Sequence, residues 1–499
     1  MLSRVAVLAI LISFLVIIPA PSSTKDARSV ELKDYYTPDH YPSFQEINHT
    51  LHQIAKDHPD IARVFSIGHT WGWDPKTGRY DWPKPLWTIK ISDNPTVNES
   101  NEARVYIHWH HAREWIDPAF MMYLINALVK GYYTNDTIHW IVNHYEIYIT
   151  PLSNADGYIV DGNGNPSNLS GDWGPGGWRK NARDLNGNGT LDIDNLWDAT
   201  GEGVDPERNW DWYWSNGNDN PSDPDYHGPA PFSEPEVRAE RDFIENYSID
   251  AQCVLHSFSA AILIPWFYTS QNPPHGAFFR DFARHMALRT KIDGDASSHF
   301  SYGRPDEVIG YSAPGGSSDW VYGKLNKIGI AVEMEPTYTL YGDGFHPSTS
   351  KIRTYITDFY EAMIYFIEIS NSKLKSKSEA NNQPNAYIVW GYAHDDSGNP
   401  LMGVTVKIRN TANGDEIYTT TDEHGFYMLN LGTLQNKYSN TTTFEISVGD
   451  ATQTFTPNND LGSERRDFTV SSVPEFSETG LGLSILVATV AIFIAVLRE

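Results

Sequence analysis

The chain has 499 residues, 40% of them hydrophobic, which is enough for a catalytic-size domain and a second module. It carries 37 Lys and Arg against 63 Asp and Glu, a net charge of −26, and phosphate-rich nucleic acid is a poor partner for so acidic a surface. Its single cysteine, Cys253, excludes an intramolecular disulfide, so packing and ions must hold the fold together.

Both ends of the chain are hydrophobic. The apolar run of residues 5–18 follows Arg4 and ends in small residues, which predicts a signal peptide over residues 1–23. Residues 480–497 are uncharged and about long enough to cross a bilayer core of roughly 30 Å, which predicts a transmembrane helix. Asn-x-Ser/Thr sequons recur along the chain, so we expect a glycosylated protein that is secreted or anchored to the cell surface by this helix.

Helical and strand-like segments alternate over the first three quarters of the chain. Ser43 and Glu46 are spaced as a capping box at the start of an amphipathic helix. Further helices are predicted at residues 118–130 with Asp117 as cap, at 234–246 with Ser233 and Glu236 as a second capping box, and at 349–369. Strands are predicted at "LWTIKI", "RVYIHW", "YEIYIT", "DAQCVLH" and "GIAVEM". This alternation predicts an α/β fold, a mixed sheet with helices on both faces.

The pattern changes after the polar stretch of residues 371–385, which we interpret as a linker. Residues 386–470 contain strands and turns only, with Val404, Val406 and Ile408 alternating inward in "GVTVKIR". They predict a small all-β sandwich.

The segment "HWHHAREWIDP" holds three histidines at a predicted strand-to-helix junction. Of these, His111 stands three residues before Glu114, the His-x-x-Glu spacing of many zinc hydrolases. His108 and His110 lack that partner, although His110 and Glu114 would form an i,i+4 pair, and both are interpreted as strand-end residues without an assigned role. The spacing alone is common, so it needs support from the rest of the chain.

That support comes from motifs in a fixed order over roughly residues 40–370. The chain resembles the zinc carboxypeptidase A/B family in "HAREW", "WRKNAR", "GVDPERNWDW", "FSEPE", "VLHSFS", "YSAPGGSSDW" and "AVEME". The resemblance implies one Zn²⁺ and the following roles: zinc ligands His111, Glu114 and His256; a carboxylate orienting the first histidine, Asp205; a general base, Glu333; an oxyanion-stabilising cation, Arg179; groups holding the substrate's terminal carboxylate, Arg208 and Tyr311; and a contact further along the substrate, Arg113.

The resemblance also organises the chain into modules. We expect a signal peptide at 1–23, a zinc carboxypeptidase catalytic domain at 24–370, a linker at 371–385 and the transmembrane helix at 480–497. The β-sandwich at 386–470 resembles the transthyretin-like modules appended to many carboxypeptidases, which implies a stabilising or binding role. The short segment before the catalytic domain predicts that there is no folded prodomain.

One position departs from the family pattern. Glu207 stands immediately before Arg208, where the family usually has Asn. A carboxylate there should repel the substrate's terminal carboxylate unless it is neutralised or turned away, so Glu207→Asn is expected to raise kcat/KM on peptides with a free carboxyl end. Side-chain preference stays open, because Ser318 at the pocket base, Phe267 on a wall and Asp306 nearby give mixed signals.

The loop "DLNGNGTLDID" has a chemistry of its own. Asp184, Asn186 and Asn188 occupy positions 1, 3 and 5 of a calcium-type loop, but Asn195 replaces the bidentate Glu. Calcium binding and a solvated Asn-Gly turn both remain open, and glycosylation of Asn188 would exclude it as a ligand.

The sequence therefore predicts a zinc metallocarboxypeptidase that hydrolyses C-terminal peptide bonds of peptides or proteins. It has no predicted nucleic-acid partner or obligate protein partner, and it contacts the membrane through its C-terminal helix. Two alternatives are kept: the same zinc fold acting on cell-wall or other peptides with atypical C-terminal recognition, and a catalytically silent surface binding protein.

Overall fold

A computed structural model describes residues 33–165, 177–195, 200–337, 344–457 and 461–471. The predicted signal peptide and the predicted transmembrane helix both lie outside these residues. Within the described ranges, no helix combines the length and the apolar composition that crossing a bilayer requires.

The helices of the described chain fall close to the predicted ones. Ser43 accepts the Glu46 backbone N–H at 3.2 Å and so caps the first helix, whose residues Phe44, Leu51 and Ile54 are buried. The bounds are α1 Phe44–Asp57, α2 Ile116–Tyr132, α3 Asp136–Val142, α4 Ala155–Val160, α5 Pro235–Asn246, α6 Gly276–Ala287, α7 Pro305–Val308, α8 Ser317–Leu325 and α9 Thr349–Ile369.

Two predicted helix caps are wrong. Helix α2 begins at Ile116 with Trp115 as its N-cap residue, and Asp117 lies inside the first turn, fully buried. The backbone N–H of Asp117 donates to Glu114 at 3.3 Å, so the turn holding Glu114 leads the chain into the helix early. Helix α5 is capped at Glu234, because Pro235 occupies the first helical position, where its fixed φ and missing N–H are favourable.

An eight-stranded mixed sheet forms the centre of the larger module, which confirms the predicted α/β fold. In spatial order its strands run β1-β2-β4-β3-β5-β8-β6-β7, and β4, β3, β5 and β8 are mutually parallel. Their bounds are β1 Ala62–His69, β2 Pro85–Ile91, β3 Ala103–Trp109, β4 Tyr145–Ile149, β5 Ala251–Ser257, β6 Ala261–Leu263, β7 Ser301–Gly303 and β8 Ile328–Met334.

Helices cover both faces of this sheet. Val105 and Ile107 of β3 join the core formed with α1, α2, α6 and α9, whereas Tyr106 joins a second core with α5 and α8. Alternate residues of a strand point to opposite faces of the sheet, so side chains of β3 pack in both cores. The carboxyl ends of β3, β5 and β8 therefore meet at one edge of the sheet, between the two helical layers.

Two pairs of short strands form separate two-stranded ribbons, Trp73–Asp74 with Arg79–Tyr80 and Ile193–Asn195 with Thr200–Gly201. The strands of residues 388–470 form two four-stranded sheets around a separate apolar core. One sheet has the order β12-β9-β15 with β16 also pairing with β9, and the other runs β11-β10-β13-β14. Val404, Val406 and Ile408 are buried as predicted. The bounds are β9 Ile388–Asp395, β10 Thr405–Asn410, β11 Glu416–Thr420, β12 Phe426–Asn430, β13 Phe444–Val448, β14 Ala451–Phe455, β15 Ser463–Arg465 and β16 Phe468–Val470.

The β-sandwich packs directly on the larger module. Ile388, Phe426 and Met428 belong to the same buried apolar cluster as α2, α3 and α9. The polar stretch between the modules contains a short 3-10 helix, Lys377–Asn382, and the Lys377 ammonium donates to the Gly323 carbonyl at 2.6 Å. That stretch is thus held against α8.

Candidate active site

Three ligand-type side chains converge at the carboxyl edge of the central sheet. His111 follows strand β3, Glu114 lies in the turn before α2, and His256 lies near the end of β5. His111 Nδ1 is 2.9 Å from Glu114 Oε1 and 2.9 Å from His256 Nδ1, and His256 Nδ1 is 3.1 Å from Glu114 Oε2. All three side chains are buried, so the cluster is a preformed group of three ligand atoms.

The protonation of this cluster fits a metal ion. Asp205 Oδ1 lies 3.1 Å from His111 Nε2, and the Arg179 guanidinium beside it holds the pKa of Asp205 well below its usual range against the cost of burial. An ionised Asp205 accepts the Nε2 proton, which leaves the Nδ1 lone pair facing the cluster. Burial and the neighbouring His111 lower the pKa of His256 to about 4, so its ring is neutral.

The donor set matches zinc in type and in spacing. Two imidazole nitrogens and one carboxylate are a common catalytic zinc set, and tetrahedral zinc separates neighbouring ligand atoms by about 3.3 Å. The observed spacings of 2.9 to 3.1 Å are slightly shorter. Three acceptors held this close repel one another unless a cation lies between them. These residues therefore fit a zinc ion.

Asp205 connects the cluster to a fixed cation. Its Oδ2 accepts from Arg179 Nε at 2.9 Å and from Arg179 Nη2 at 2.8 Å, a contact made by both donors of one guanidinium edge. Its Oδ1 also accepts the Glu207 backbone N–H at 2.9 Å. One buried carboxylate thus positions His111 and Arg179 together.

Glu333 lies beside the cluster on the next strand. It is the register partner of His256 across the parallel pair β5 and β8, so the two side chains share one end of the sheet. Burial and the Glu114 carboxylate raise the pKa of Glu333 to about 8, partly offset by Arg179 and Arg208. A carboxyl with its pKa near the working pH can both accept and donate a proton.

These groups line one pocket that encloses about 380 Å³, including its open mouth. Eight of the residues singled out from the sequence line it: His111, Arg179, Glu207, Arg208, His256, Phe267, Tyr311 and Glu333. Arg113 is not among the described lining residues, and its guanidinium lies 3.8 Å from the ring centre of Phe345. The structure therefore gathers two imidazoles, two guanidinium groups, two carboxyl groups, a phenol and a phenyl ring from this set at a single cleft.

Comparison with known proteins assigns this arrangement. The family model described as zinc carboxypeptidase matches residues 47–362, more than half of the chain. The chain belongs to the zinc carboxypeptidase family. It is 31% identical to carboxypeptidase A2 of Rattus norvegicus over 308 residues, which cover 60% of this chain and 64% of that protein. It is 28% identical to carboxypeptidase B of Astacus astacus over 319 residues, which cover 60% of this chain and 87% of that protein.

Solved structures show the same fold. The bovine thrombin-activatable fibrinolysis inhibitor, in complex with tick carboxypeptidase inhibitor, matches with a TM-score of 0.53 and 25% identity over 67% of this chain and 98% of that one. Carboxypeptidase A of Helicoverpa armigera matches with a TM-score of 0.53 and 22% identity over 66% of this chain and 73% of that one. This chain spans less than two thirds of the length of its rodent carboxypeptidase relatives.

Glu207, the position that departs from the family pattern, has its carboxylate tied to the protein interior. Oε2 lies 2.7 Å from His110 Nδ1, and Oε1 accepts the Ser317 backbone N–H at 2.9 Å and the Ser317 hydroxyl at 3.0 Å. The hydrogen bond and charge of His110 lower the pKa of Glu207 despite its burial. Glu207 is therefore an ionised carboxylate in the pocket wall, and His110 compensates part of its charge from the protein interior.

A buried network that the sequence analysis missed supplies that compensation. His110 Nε2 lies 2.7 Å from Glu240 Oε2, and the two flanking carboxylates raise the pKa of His110 to about 10 despite burial. His108 Nδ1 contacts the other Glu240 oxygen at 3.0 Å, and Gln252 donates to its Nε2 at 2.7 Å. The i,i+2 spacing of the two histidines places them on one strand face, but nothing local indicates Glu240, a partner 130 residues away.

The inner part of the pocket is apolar. Its described walls include Leu263, Phe267, Ile309, Ala313 and Ala331, and they do not include Ser318, the predicted pocket base. The predicted acidic neighbour, Asp306, is paired with the Arg304 guanidinium at 3.0 Å.

A second acidic residue near the pocket wall, Asp319, is hydrogen-bonded to backbone N–H groups. Asp319 accepts the N–H groups of Phe267 and Tyr268 at 2.9 to 3.0 Å, and burial raises its pKa to about 7. Asp306 and Asp319 are therefore both already paired with groups of the protein itself.

The calcium-type loop is closed by its own hydrogen bonds. Asp184 accepts the N–H groups of Gly187 at 2.6 Å and Gly189 at 2.7 Å, and the side-chain amides of Asn186 and Asn188 donate to Asp192 at 2.9 and 2.7 Å. In these contacts, polar groups of the loop form hydrogen bonds with one another, as in a solvated turn.

Proposed function

We propose that this protein is a zinc-dependent carboxypeptidase that hydrolyses the last peptide bond of peptides or proteins. The observation that carries the proposal is the convergence of the His111, Glu114 and His256 ligand atoms within about 3 Å, in one pocket with Glu333 and Arg179. A binding protein has no need of a carboxyl with a raised pKa beside such a cluster.

The mechanism assigns one task to each group. Zinc bound by His111, Glu114 and His256 would polarise the scissile carbonyl and make water nucleophilic near neutral pH. Glu333 accepts the proton of the attacking water and returns it to the leaving amine. Arg179, fixed by Asp205, stabilises the negative charge that develops on the substrate carbonyl oxygen.

Recognition of the chain end rests on the cationic side of the pocket. Arg208 and Tyr311 hold the terminal carboxylate in this proposal, and Arg113 contacts the substrate further from the cleaved bond. Tyr311 is half exposed, so its hydroxyl is accessible to an entering peptide, whereas Arg208 is buried in the wall. His110 offsets the Glu207 carboxylate beside Arg208 only in part, because the same ring is shared with Glu240, and the remaining negative charge opposes the terminal carboxylate that Arg208 holds.

The apolar walls define the preferred substrate. We propose that the protein removes small and branched aliphatic residues. Phe267 restricts the space for aromatic side chains, and Asp306 and Asp319 are already paired with the protein's own groups.

A peptide library digested by the full chain tests the function. Mass spectrometry should show stepwise loss of C-terminal residues, aliphatic ones first, with no internal cleavage and no products from Glu333→Gln. Absence of products from the zinc-loaded wild type would support a silent binding protein and refute the proposal. Cleavage of amidated as readily as free-acid peptides would favour the alternative that Glu207 suggests, a substrate without a free carboxylate.

The remaining parts of the chain receive proposals of their own. We propose a catalytic domain at residues 24–370, a linker at 371–385, a transthyretin-like module at 386–470, and an extracellular location with a signal peptide at 1–23 and a membrane helix at 480–497. The two four-stranded sheets support the β module. Expression of the full chain and of a chain ending at residue 471 tests the anchor, since the truncated chain should leave the membrane fraction.

Calcium binding by the loop at Asp184, Asn186 and Asn188 stays a prediction. A calcium-dependent rise in melting temperature that Asp184→Ala abolishes would support the ion. An unchanged melting temperature would support the solvated turn.

A further inference from the structure

A second group of metal-ligand side chains lies where the β-sandwich meets the catalytic module. His139 belongs to α3, and Glu423 and His424 lie in the turn between β11 and β12. Their ligand atoms all lie within 4.8 Å of one another, with His139 Nε2 at 3.4 Å and His424 Nε2 at 3.7 Å from Glu423 Oε1. We propose that this cluster, which we call the interface cluster, binds a second zinc ion that links the two modules.

The His139 ring is oriented for coordination. Its Nδ1 lies 2.9 Å from the Tyr132 carbonyl, which can only accept, so Nδ1 carries a proton and the neutral ring has its lone pair on Nε2, the nitrogen that faces Glu423. The ring also stacks on Tyr132, with centroids 4.7 Å apart and planes 23° apart. A backbone carbonyl behind the second ring nitrogen is the usual support of a metal-binding histidine.

The turn that supplies the other two ligands is held by its own hydrogen bonds. One oxygen of Asp422 accepts the backbone N–H groups of His424 and Phe426, each at 2.8 Å. The side chains of Glu423 and His424 are 62% and 47% exposed, which leaves the cluster open to an ion from solvent. The turn thus fixes the backbone while the side chains remain free to close on a metal.

Contacts beneath the cluster keep the modules in register. Trp140 of α3 packs edge-on against Phe426, with ring centroids 5.9 Å apart. The Tyr392 hydroxyl donates to Asp136 at the start of α3 at 3.2 Å. These two contacts hold α3 and the β-sandwich together next to the cluster.

The two contacts to Glu423 are longer than direct hydrogen bonds. Direct hydrogen bonds between charged side chains measure about 2.7 to 2.9 Å, shorter than the 3.4 and 3.7 Å found here. The His139–Glu423 distance of 3.4 Å is close to the roughly 3.3 Å between the ligand atoms of tetrahedral zinc, while the cluster as a whole spans up to 4.8 Å and must tighten around an ion. Two imidazoles with one carboxylate are a donor set that zinc accepts. Water would complete the coordination.

The test is zinc stoichiometry by equilibrium dialysis and elemental analysis of the full chain. Wild type should bind one zinc more than His424→Ala and one more than Glu423→Ala. His52→Ala removes an exposed histidine of α1 outside the cluster and should match wild type. Equal stoichiometry in wild type and both cluster variants would overturn the proposal.

The difference of one zinc does not depend on the catalytic site. In His256→Ala, where the catalytic cluster is broken, the interface cluster should still take up its zinc, and His424→Ala should again remove it. If the catalytic site bound no zinc, wild type would bind one zinc per chain and His424→Ala none. Failure of the proposed function and failure of this inference therefore give different zinc counts.

Thermal unfolding supplies a second readout. Zinc added beyond the catalytic equivalent should raise the melting temperature of wild type and of His52→Ala by a few degrees, because an ion that binds only the folded chain stabilises it. The two cluster variants should show no such rise. An equal rise in all four proteins would contradict a site at these residues.

Discussion

At the scale of single residues, Asp205 is the hub of the site. It contacts His111 at 3.1 Å and Arg179 at 2.8 Å, so one carboxylate positions both the proposed metal ligand and the proposed oxyanion-stabilising cation. Glu207 is held in a comparable way, because His110 contacts both its carboxylate and that of the buried Glu240. In both cases a buried charge is compensated by a partner that also fixes its direction.

Removing the charge of Asp205 should therefore weaken two functions. Asp205→Asn is expected to lower zinc affinity about 10- to 100-fold, because the partner of a ligating histidine sets its tautomer and orientation. With saturating zinc, kcat should stay reduced, because Arg179 has lost its anchor. Zinc titration and steady-state kinetics measure the two effects, and wild-type values for both would contradict the double role.

Glu207→Asn has two opposing consequences. It removes a negative charge beside Arg208, so KM for free-acid peptides should fall severalfold, while KM for amidated peptides should stay unchanged. It also deprives His110 and Ser317 of an acceptor, which should cost about 1–3 kcal/mol of unfolding free energy. Asp306→Asn, at a carboxylate that Arg304 already holds, is the control and should change neither KM. An unchanged or higher KM for free-acid peptides in Glu207→Asn would refute repulsion by this carboxylate.

The sequence predicted the cluster of His111, Glu114 and His256. It did not predict the buried network of His110 and Glu240. His111 and Glu114 are three residues apart, and His256 and Glu333 lie near the ends of strongly apolar strands, so pattern and family resemblance together indicate them. Glu240 looks like an ordinary charged residue on the helix α5, and its burial depends on the sheet it packs against. Tertiary packing, which no local pattern records, decides such cases.

At the scale of elements, helix α8 shapes the pocket through the segment after β6. Asp319, in the first turn of α8, accepts the N–H groups of Phe267 and Tyr268 and so fixes the Phe267 ring as a wall. The position of this wall therefore depends on how α8 packs against the segment after β6. Ser318, chosen from the sequence as the pocket base, is buried within the same helix turn.

Opening this wall should change substrate preference. Phe267→Gly is expected to raise kcat/KM for C-terminal Phe or Tyr at least tenfold relative to Val or Leu, because the removed ring frees space of similar size. Competition between paired peptides measures the ratio directly. Tyr268→Gly, at the neighbouring residue outside the described lining, is the control, and an equal shift in both variants would contradict the assignment.

Elements were predicted better than their ends. The bounds of α9 agree with the prediction, since its apolar period is long and uninterrupted. The cap of α2 was mistaken because Asp117 has the composition of a cap residue, while the ligand-bearing turn before it already leads into the helix. The short strands Trp73–Asp74 and Arg79–Tyr80, together with β6 and β7, have only two or three residues each, too few to leave a clear alternating pattern in the sequence.

At the scale of the whole molecule, an acidic chain folds with several carboxyls in its interior. Glu236 is one of them, 1% exposed, and burial and the nearby Glu234 charge raise its pKa to about 8. Between its ordinary value of 4.5 and 8, the folded chain keeps a proton that the unfolded chain releases. Such a group lowers the free energy of unfolding as pH rises through that window.

Glu236→Gln should remove this pH dependence. Wild type is expected to lose stability from pH 5 to pH 8 with a contribution of up to about 1.4 kcal/mol per pH unit from this group. The variant, which has no proton to release, should show a shallower slope. Denaturant unfolding at several pH values gives the comparison, and equal slopes would contradict a buried neutral Glu236.

The two modules act as one folded unit in this account. Phe426 and Met428 of the β-sandwich share an apolar cluster with α2, α3 and α9, and the interface cluster lies close to that contact. Sequence patterns indicated both modules but not their contact, because exposed and interface positions of a small sheet have similar composition.

The central claim is metal-dependent removal of C-terminal residues, and the most direct measurement is the rate of release of leucine from an N-blocked dipeptide. Chelation should abolish release, one zinc per chain should restore it in wild type, and Glu333→Gln should bind the zinc but stay about 10²- to 10⁴-fold slower. Undiminished release after chelation, or full activity of Glu333→Gln, would contradict the account.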